Sequence, residues 1–419
     1  DDPAGFKFGD AGDQNVIKCG SYVGNGSTDG PEINLGWEPQ YILIKRSSAS
    51  ESWMIFDAMR GMTTQAGNDH DLRADLTNSE NDVRDYIDIT PTGFKQVNTQ
   101  LMMNGNGDTY VYMAIRRSDG YCGKPPELGT GVFAMDTGNS SSTIPCFDSN
   151  FPVDFGLMRE PATTSSWLTG VRLTGDKRMF TNTAGSESSD SNVVFDSNVG
   201  YFKDLNSDRQ AWMWKRHAGF DVVTFSHVVD QGDHAISHSL SKTPEMLWLK
   251  RRNVNNSAWT VFHKELNGGS NPENYFIELN TTGAEQNQSG IWGSGPTSTH
   301  VTLPNNTFGT ADYLMILFAS TDVSKVGSYT GTGSSHTVTV GFQPRFLFIK
   351  RVDDANSWYT INTLQGWGSG DDKYLQLDDT NAVADYDFGA PTSTGFTIPN
   401  DSNAVFNANG GKYIYYCHS

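Results

Sequence analysis

Short apolar runs bounded by turn residues recur along the whole chain. Tyr41–Lys45, Met246–Lys250 and Phe346–Lys350 are rich in β-branched and aromatic residues, and Gly, Pro or polar residues flank each of them. Turn dipeptides such as Asn25-Gly26 and Gly410-Gly411 separate the strand candidates. Stretches with a helical period are short. The pattern therefore predicts an all-β protein.

The same landmarks return four times, which indicates an internal repeat. In each copy an arginine follows a proline by seven residues, and a tryptophan follows that proline by fourteen or fifteen residues. An aromatic-rich strand then closes the copy, as in Tyr110–Ile115 and Tyr413–Cys417. The repeated framework residues are Pro39, Arg46, Trp53, Pro152, Arg159, Trp167, Pro244, Arg251, Trp259, Pro344, Arg351 and Trp358.

The repeat predicts four tandem domains, each a β-sandwich of jelly-roll or Greek-key type. Their boundaries are 1–120, 121–217, 218–321 and 322–419, and we name these segments copies 1 to 4. A length of 419 residues alone would allow two to four domains at roughly 100–200 residues each. Copy 2 is the most degenerate, because Met158 stands where the proline count places a lysine in the other copies.

Composition narrows the function classes. A net charge of −18 without a basic stripe argues against a nucleic-acid binder. An aromatic content of 12% excludes a disordered chain. No apolar run reaches the roughly 18 residues of a transmembrane helix, so we expect no membrane insertion. The four cysteines lack a CxxC spacing and are expected to be reduced. The chain does not begin with Met, which suggests a processed chain or part of a longer one.

The repeat resembles tandem modules in virion proteins of tailed bacteriophages, especially phages of marine bacteria and cyanobacteria. The resemblance rests on the Gly-Ser-Tyr segments at 20–22 and 327–329, the Ile-Lys-Arg strand ends at 44–46 and 349–351, the tryptophan and the closing strand. It implies a tail fibre or other structural appendage exposed on the virion after assembly in the host cytoplasm. It also implies other virion proteins as partners, a homo-oligomer with a trimer favoured, and a host surface glycan as a candidate receptor.

The repeated pair Lys45-Arg46, Lys250-Arg251 and Lys350-Arg351 has two interpretations. A binding ridge for anionic sugars is one, because the Arg fork suits carboxylates and phosphates. A structural role is the other, because successive side chains of a strand point to opposite faces. One member then reaches solvent while the other pairs with an acidic neighbour. We favour the structural role, and we likewise expect the four repeated tryptophans to be core rather than sugar platforms.

Candidate ligand residues are those that break the repeat. Trp292 and Trp367 lie in Gly-rich loops, and Asp371 and Asp372 follow Trp367 closely, so these four form the candidate glycan site. The alternative for the tryptophans is that each anchors its loop. Acidic pairs such as Asp378-Asp379 offer oxygen ligands for Ca²⁺, but no EF-hand pattern accompanies them and the chain is acidic throughout. We therefore expect no cofactor and no metal, with calcium as the alternative.

Catalytic signatures are absent from the sequence. There is no G-x-S-x-G elbow, no H-E-x-x-H and no Gly-rich phosphate loop after a strand. The leading hypothesis is a non-enzymatic virion protein that recognises the host surface. The alternatives are a purely structural spacer, decoration or baseplate- or capsid-attached component and, from another class, a surface-polysaccharide depolymerase, which would need two facing carboxylates.

Overall fold

A computed structural model describes residues 16–62, 68–90, 92–117, 122–140, 144–204, 207–400 and 405–419. Within them the protein is all-β, as predicted, with antiparallel sheets throughout. The chain forms two compact units. Unit 1 contains Asp1–Lys124 with Arg172–Gly175, and unit 2 contains Pro125–Val171 with Asp176–Ser419.

Unit 1 is a sandwich of a large and a small sheet. Its elements are β1 (Ile17–Val23), β2 (Glu32–Asn34), β3 (Pro39–Arg46), β4 (Met54–Asp57), β5 (Asp69–Arg73), β6 (Asn81–Arg84), β7 (Ile87–Thr90), β8 (Gly93–Gln96), α1 (Leu101–Asn104) and β9 (Thr109–Arg116). The large sheet has the order β1-β9-β3-β4-β5-β6 and the small sheet the order β2-β8-β7. Phe94 of β8 packs edge-on against Tyr112 of β9 with ring centroids 5.6 Å apart, which joins the two sheets.

Unit 2 holds the remaining strands, which fall into three groups along the chain. In copy 2 they are β10 (Phe133–Thr137), β11 (Phe147–Asp148), β12 (Phe155–Arg159), β13 (Leu168–Val171), β14 (Lys177–Phe180), β15 (Ser188–Ser189), β16 (Gly200–Tyr201) and β17 (Gln210–Trp214). In copy 3 they are β18 (Phe220–His227), β19 (His234–Ser237), β20 (Met246–Arg251), β21 (Thr260–His263), β22 (Tyr275–Glu278), β23 (Gln286–Asn287), β24 (His300–Leu303) and β25 (Ala311–Phe318).

The strands of copy 4 are β26 (Ser324–Thr330), β27 (His336–Thr339), β28 (Phe346–Arg351), β29 (Trp358–Asn362), β30 (Asp372–Gln376), β31 (Ala384–Tyr386), β32 (Pro391–Thr392), β33 (Gly395–Ile398) and β34 (Lys412–His418). Short 3-10 helices lie at Gly129–Gly131, Arg172–Thr174, Leu266–Gly269, Pro272–Asn274 and Thr363–Gln365.

The strand order of the large sheet returns three times in unit 2. The orders are β10-β17-β12-β13-β14-β15, β18-β25-β20-β21-β22-β23 and β26-β34-β28-β29-β30-β31. Small sheets β11-β16, β19-β24 and β27-β33-β32 accompany them. In each large sheet a four-strand meander is extended by the closing strand and then by the first strand. The sandwich prediction is confirmed, whereas the count of four separate domains stays a prediction.

The central strands of unit 2 are buried on both faces. Leu347 and Ile349 of β28 point into the core of copy 4. Phe346, Phe348 and Lys350 alternate with them on the opposite face, and they are buried too. A strand that is covered on both sides reads as a continuous apolar run rather than an alternation. This explains the sequence pattern, and it requires a second layer of packing outside each sandwich.

Separate cores predict separate responses to core mutations. Trp248→Ala empties a fully buried site in unit 2, and Phe94→Ala does the same in unit 1. Each substitution should cost about 3–5 kcal/mol of unfolding free energy, from lost burial and a residual cavity. Differential scanning calorimetry of the whole chain should show each variant lowering a different transition. Two variants that lower one and the same transition would contradict the division into two units.

Candidate functional site

The large sheets of copies 2, 3 and 4 meet one another at three junctions, and each junction contains the framework tryptophan of one copy. Its indole N–H donates to a backbone carbonyl of another copy. The bonds run from Trp167 Nε1 to Gln376 O (2.6 Å), from Trp259 Nε1 to Phe180 O (2.9 Å) and from Trp358 Nε1 to Glu278 O (3.0 Å). Copy 2 thus donates to copy 4, copy 4 to copy 3 and copy 3 to copy 2, so the three copies form a closed ring.

Two backbone hydrogen bonds repeat at every junction. In the first, an N–H just before the tryptophan donates to the neighbour: Ser165 N to Thr380 O (3.0 Å), Ser257 N to Ala184 O (3.0 Å) and Asn356 N to Thr282 O (2.8 Å). In the second, the neighbour donates back: Val383 N to Pro161 O (2.7 Å), Glu187 N to Arg252 O (2.7 Å) and Glu285 N to Val352 O (2.8 Å). The recurrence of equivalent atoms makes the ring a pseudo-threefold arrangement.

A buried cation stands beside each junction. Lys350 Nζ donates to Thr282 O (3.0 Å) in the neighbouring copy and to Asn356 O in its own copy. Lys250 Nζ makes the equivalent bond to Ser257 O. Burial lowers the pKa of both ammonium groups to about 8. Carbonyl dipoles, rather than carboxylates, therefore satisfy these lysines.

In copy 2 the equivalent cation is Arg159. Its Nη2 donates to Thr380 O (3.0 Å) and to Asn381 O (2.7 Å), and its guanidinium lies 5.1 Å from the ring centroid of Trp167. The prediction that Met158 replaces the lysine is therefore wrong by one position. Two residues separate Pro152 from the start of β12, but only one separates Pro344 from β28, so a count from the proline is out of register with the strand.

The lysines of the repeated Lys-Arg pairs lie in a different environment from the one we expected. We expected one member of each pair to reach solvent and the other to pair with an acidic neighbour. In copies 3 and 4 the lysine does neither, because Lys250 and Lys350 are fully buried and donate to backbone carbonyls. The arginines partly follow the expectation. Arg46 pairs with Asp108 at 2.6 Å and Arg351 with Asp353 at 2.9 Å, whereas Arg251 Nε donates to Ser257 Oγ.

Aromatic rings from all three sheets fill the centre of the ring, which we name the central core. Trp214 of copy 2 and Trp248 of copy 3 both contact Phe348 of copy 4, with ring centroids 6.4 and 5.6 Å apart. Trp214 Nε1 donates to Tyr416 Oη (3.3 Å), and Phe318 lies 4.8 Å from the Tyr416 ring. Aromatic rings of this size bury a large apolar area where the three sheets meet.

Copy 1 carries the same local geometry, but its tryptophan is exposed. Trp53 N donates to Asp75 Oδ1 (3.0 Å), as Trp358 N does to Asp378 Oδ1 (2.8 Å). The Trp53 side chain is nevertheless 39% exposed, whereas none of the three junction tryptophans is more than 2% exposed. Core burial was expected of all four tryptophans, and for Trp53 that expectation is wrong.

The predicted glycan residues do not form an open site. Trp292 and Trp367 are buried in the cores of copies 3 and 4, where their indole N–H groups donate to Tyr275 O (2.9 Å) and Gly389 O (3.0 Å). Neither ring has a free face for a sugar, so the proposed stacking role is corrected to that of a loop anchor. Glycine-rich flanks allow each loop to fold its tryptophan inward.

The two aspartates next to Trp367 differ in environment. Asp372 is buried and accepts from Gly368 N (2.8 Å) and Phe388 N (3.0 Å), while Asp371 is exposed. Burial raises the pKa of Asp372 to about 6. Asp378 also accepts a backbone N–H, that of Trp358. Across the described ranges, no group of three or more His, Cys, Asp and Glu side chains is placed to hold a metal ion.

A polar cleft of about 490 Å³ lies on copy 2. Its walls include Arg159, Arg178 and Arg209 together with Ser189 and Asn192. Arg178 is ion-paired with Asp190 at 2.6 Å, and Arg209 is ion-paired with Asp204 at 2.5 Å. The sequence pattern did not indicate Arg178 or Arg209, because Arg178 lies on β14, Arg209 lies just before β17, and neither position belongs to the repeated framework residues.

The protein is a tandem-repeat β-sandwich protein in which three of the copies form a ring within one chain. The chain belongs to the family described as Domain of unknown function (DUF7483), whose profile matches residues 12–118 and 212–419. Most of copy 2, the degenerate copy, lies outside the match. No curated protein matches the chain. In the part that the structure describes, no helix is long and apolar enough to cross a membrane.

The indole bonds predict a measurable cost for losing one N–H group. Trp358→Phe keeps an aromatic ring at the junction but leaves Glu278 O without its donor. We expect it to lower the unfolding free energy of unit 2 by about 1–3 kcal/mol, as measured by urea denaturation. Trp53→Phe is the matched control, and it should leave the unfolding of unit 2 unchanged. Wild-type stability in Trp358→Phe would show that the junction bond contributes nothing.

Buried histidines predict acid sensitivity. Burial lowers the pKa of His263 and His418 to about 3, so both stay neutral in the folded chain while the unfolded chain protonates them near 6.5. Between these values the unfolded state binds more protons, and stability falls as pH falls. His263→Gln/His418→Gln should therefore lose less unfolding free energy than wild type between pH 6.5 and pH 4.5. Parallel pH dependences of the two proteins in urea titrations would refute this.

Proposed function

We propose that the chain is a non-enzymatic structural component of a tailed-phage virion, in which unit 2 serves as a preassembled three-copy ring. The observation that carries the proposal is the closed cycle of junctions. The three framework tryptophans of unit 2, together with Lys350 and Arg159, bind neighbouring copies instead of facing an open site. The sequence resemblance to virion modules is the reason for proposing a tailed-phage particle as the location.

This proposal places the architectural role ahead of host recognition. A receptor-binding module needs exposed aromatic or hydrogen-bonding groups on its loops. Trp292 and Trp367, the best sequence candidates, are instead committed to sandwich cores. A ring within one chain presents equivalent loops around a pseudo-threefold axis. Such a ring suits a position on the long axis of an appendage, where the appendage attaches to the particle or is extended.

Host-surface recognition is the second candidate, and the cleft on copy 2 favours it. Arg178 and Arg209 are half-buried at its wall, and Ser189 and Asn192 add hydrogen-bonding groups. An arginine fork suits the carboxylate of an acidic sugar, which would take the place of Asp190 and Asp204 in the ion pairs that hold Arg178 and Arg209. A depolymerase would need a free pair of facing carboxylates, but Asp190 in this cleft is already ion-paired with Arg178.

The direct test is to locate the chain on particles. Tailed particles purified from the source culture should contain the chain by mass spectrometry, and gold-labelled antibodies should mark one regular position in electron micrographs. Absence of the chain from purified particles would overturn a virion role of either kind.

Arg178→Ala/Arg209→Ala separates the two candidates. Particles that carry this variant should assemble in both cases. A structural role predicts wild-type adsorption to host cells, and it also predicts that added purified protein does not block adsorption. Loss of adsorption in the variant, with blocking by the wild-type protein alone, would replace the structural role with recognition.

A further inference from the structure

The large sheet of unit 1 has an outer face that points away from its own core. We name it the open face, and it contains Ile17, Leu43, Ile55, Leu72, Val111 and Met113. Ile17 is 54% exposed and Val111 38% exposed, and the other four are only half-buried. Trp53 immediately precedes β4 of the same sheet and is 39% exposed. So much exposed apolar surface on one face is unusual for a free sheet.

The same positions are covered in the other three copies. The row Leu43–Ile55–Leu72 across β3, β4 and β5 corresponds by strand pairing to three rows in unit 2. These rows are Leu157–Thr169–Met179, Trp248–Val261–Ile277 and Phe348–Thr360–Leu375. None of those nine residues is more than 3% exposed. What covers them is the equivalent faces of the other two copies in the ring.

We propose that three chains associate through the open face, so that copy 1 of each chain takes the place that copies 2, 3 and 4 take in unit 2. The ring in unit 2 closes with three such faces, and each chain supplies one further face of the same kind. The occupant of the open face is therefore two further copies of this chain, and the product is a homotrimer with a second, intermolecular ring.

Equivalent atoms define the expected contacts. Ala74 N donates to Trp53 O (3.1 Å) as Leu279 N does to Trp259 O (3.0 Å), so Arg73 stands in copy 1 where Glu278 stands in copy 3. Trp53 Nε1 should then donate to the carbonyl oxygen of Arg73 of the partner subunit. Lys45 Nζ donates to Glu51 O as Lys350 Nζ does to Asn356 O. Glu51 N should accordingly donate across the interface, as Asn356 N does to Thr282 O.

Cys19 supplies a second readout on the same face. It pairs with Met113 across β1 and β9, and its thiol is exposed in the single chain. Its counterparts by strand pairing are Val222 and Val326, which are buried in the ring. The other three cysteines are buried in the single chain. Trimer formation through the open face should therefore protect Cys19 from a maleimide reagent.

Light scattering coupled to size exclusion on the whole chain tests the proposal. Wild type should elute with three times the chain mass, with Cys19 unreactive. Leu43→Glu buries a charge in the interface and should elute at the mass of one chain, with Cys19 labelled rapidly. Val111→Arg should also elute at the mass of one chain. Because Val111 is exposed in the single chain, this variant should fold, and it therefore tests the interface even if Leu43→Glu fails to fold. Leu101→Glu is the control: Leu101 lies on α1 outside the open face, is 57% exposed, and should leave the trimer intact.

Several results would overturn the proposal. A wild-type chain at the mass of one or two chains at tens of micromolar would do so, as would trimers in both open-face variants. A trimer with a freely reactive Cys19 would place the interface elsewhere. Dissociation of the Leu101→Glu control together with the open-face variants would show a general loss of stability instead of a specific interface.

Discussion

In copies 2, 3 and 4 the indole N–H of the framework tryptophan is buried, and it donates to a backbone carbonyl oxygen of another copy. This one interaction makes the three sandwiches interdependent. Trp167, Trp259 and Trp358 each lie beside a buried cation that also donates to carbonyl oxygens, so each junction combines aromatic burial with fully directed polar bonds. The aromatic rings of the central core pack together where the three sheets meet. The central strands have apolar side chains on both faces because both faces are buried.

The framework pattern in the sequence predicted the recurring large sheets, because the proline, the Ile-Lys-Arg end and the tryptophan mark the same strands in each copy. It did not predict the junctions, since a single strand cannot reveal which long-range neighbour covers its outer face. The predicted register of copy 2 was wrong for a local reason: the segment between Pro152 and its strand is one residue longer, so a count from the proline put Met158 instead of Arg159 at the lysine position. The predicted sugar-stacking role of Trp292 and Trp367 was wrong because Gly-rich flanking residues suggest an open loop, whereas both loops fold inward and bury the tryptophan.

Copy 1 has the same design as the copies of the ring, but the outer face of its large sheet is more exposed. Its tryptophan, its lysine and its apolar row are all present, with the same bonds inside the copy, but the row is only half-buried and Trp53 is exposed. The chain thus contains one ring completed internally and one face of the same design left open. Fusing three copies in one chain fixes the stoichiometry of the first ring, whereas the second would depend on protein concentration.

Hydrogen exchange of the tryptophan indole protons, followed by NMR on ¹⁵N-tryptophan-labelled protein, tests the closed ring most directly. The ring predicts comparably slow exchange for Trp167, Trp259 and Trp358, because opening one junction requires opening the cycle, and fast exchange for Trp53 in the dissociated Val111→Arg chain. Exchange of any one junction indole at the rate of a solvent-exposed tryptophan, while the other two stay protected, would contradict a closed ring.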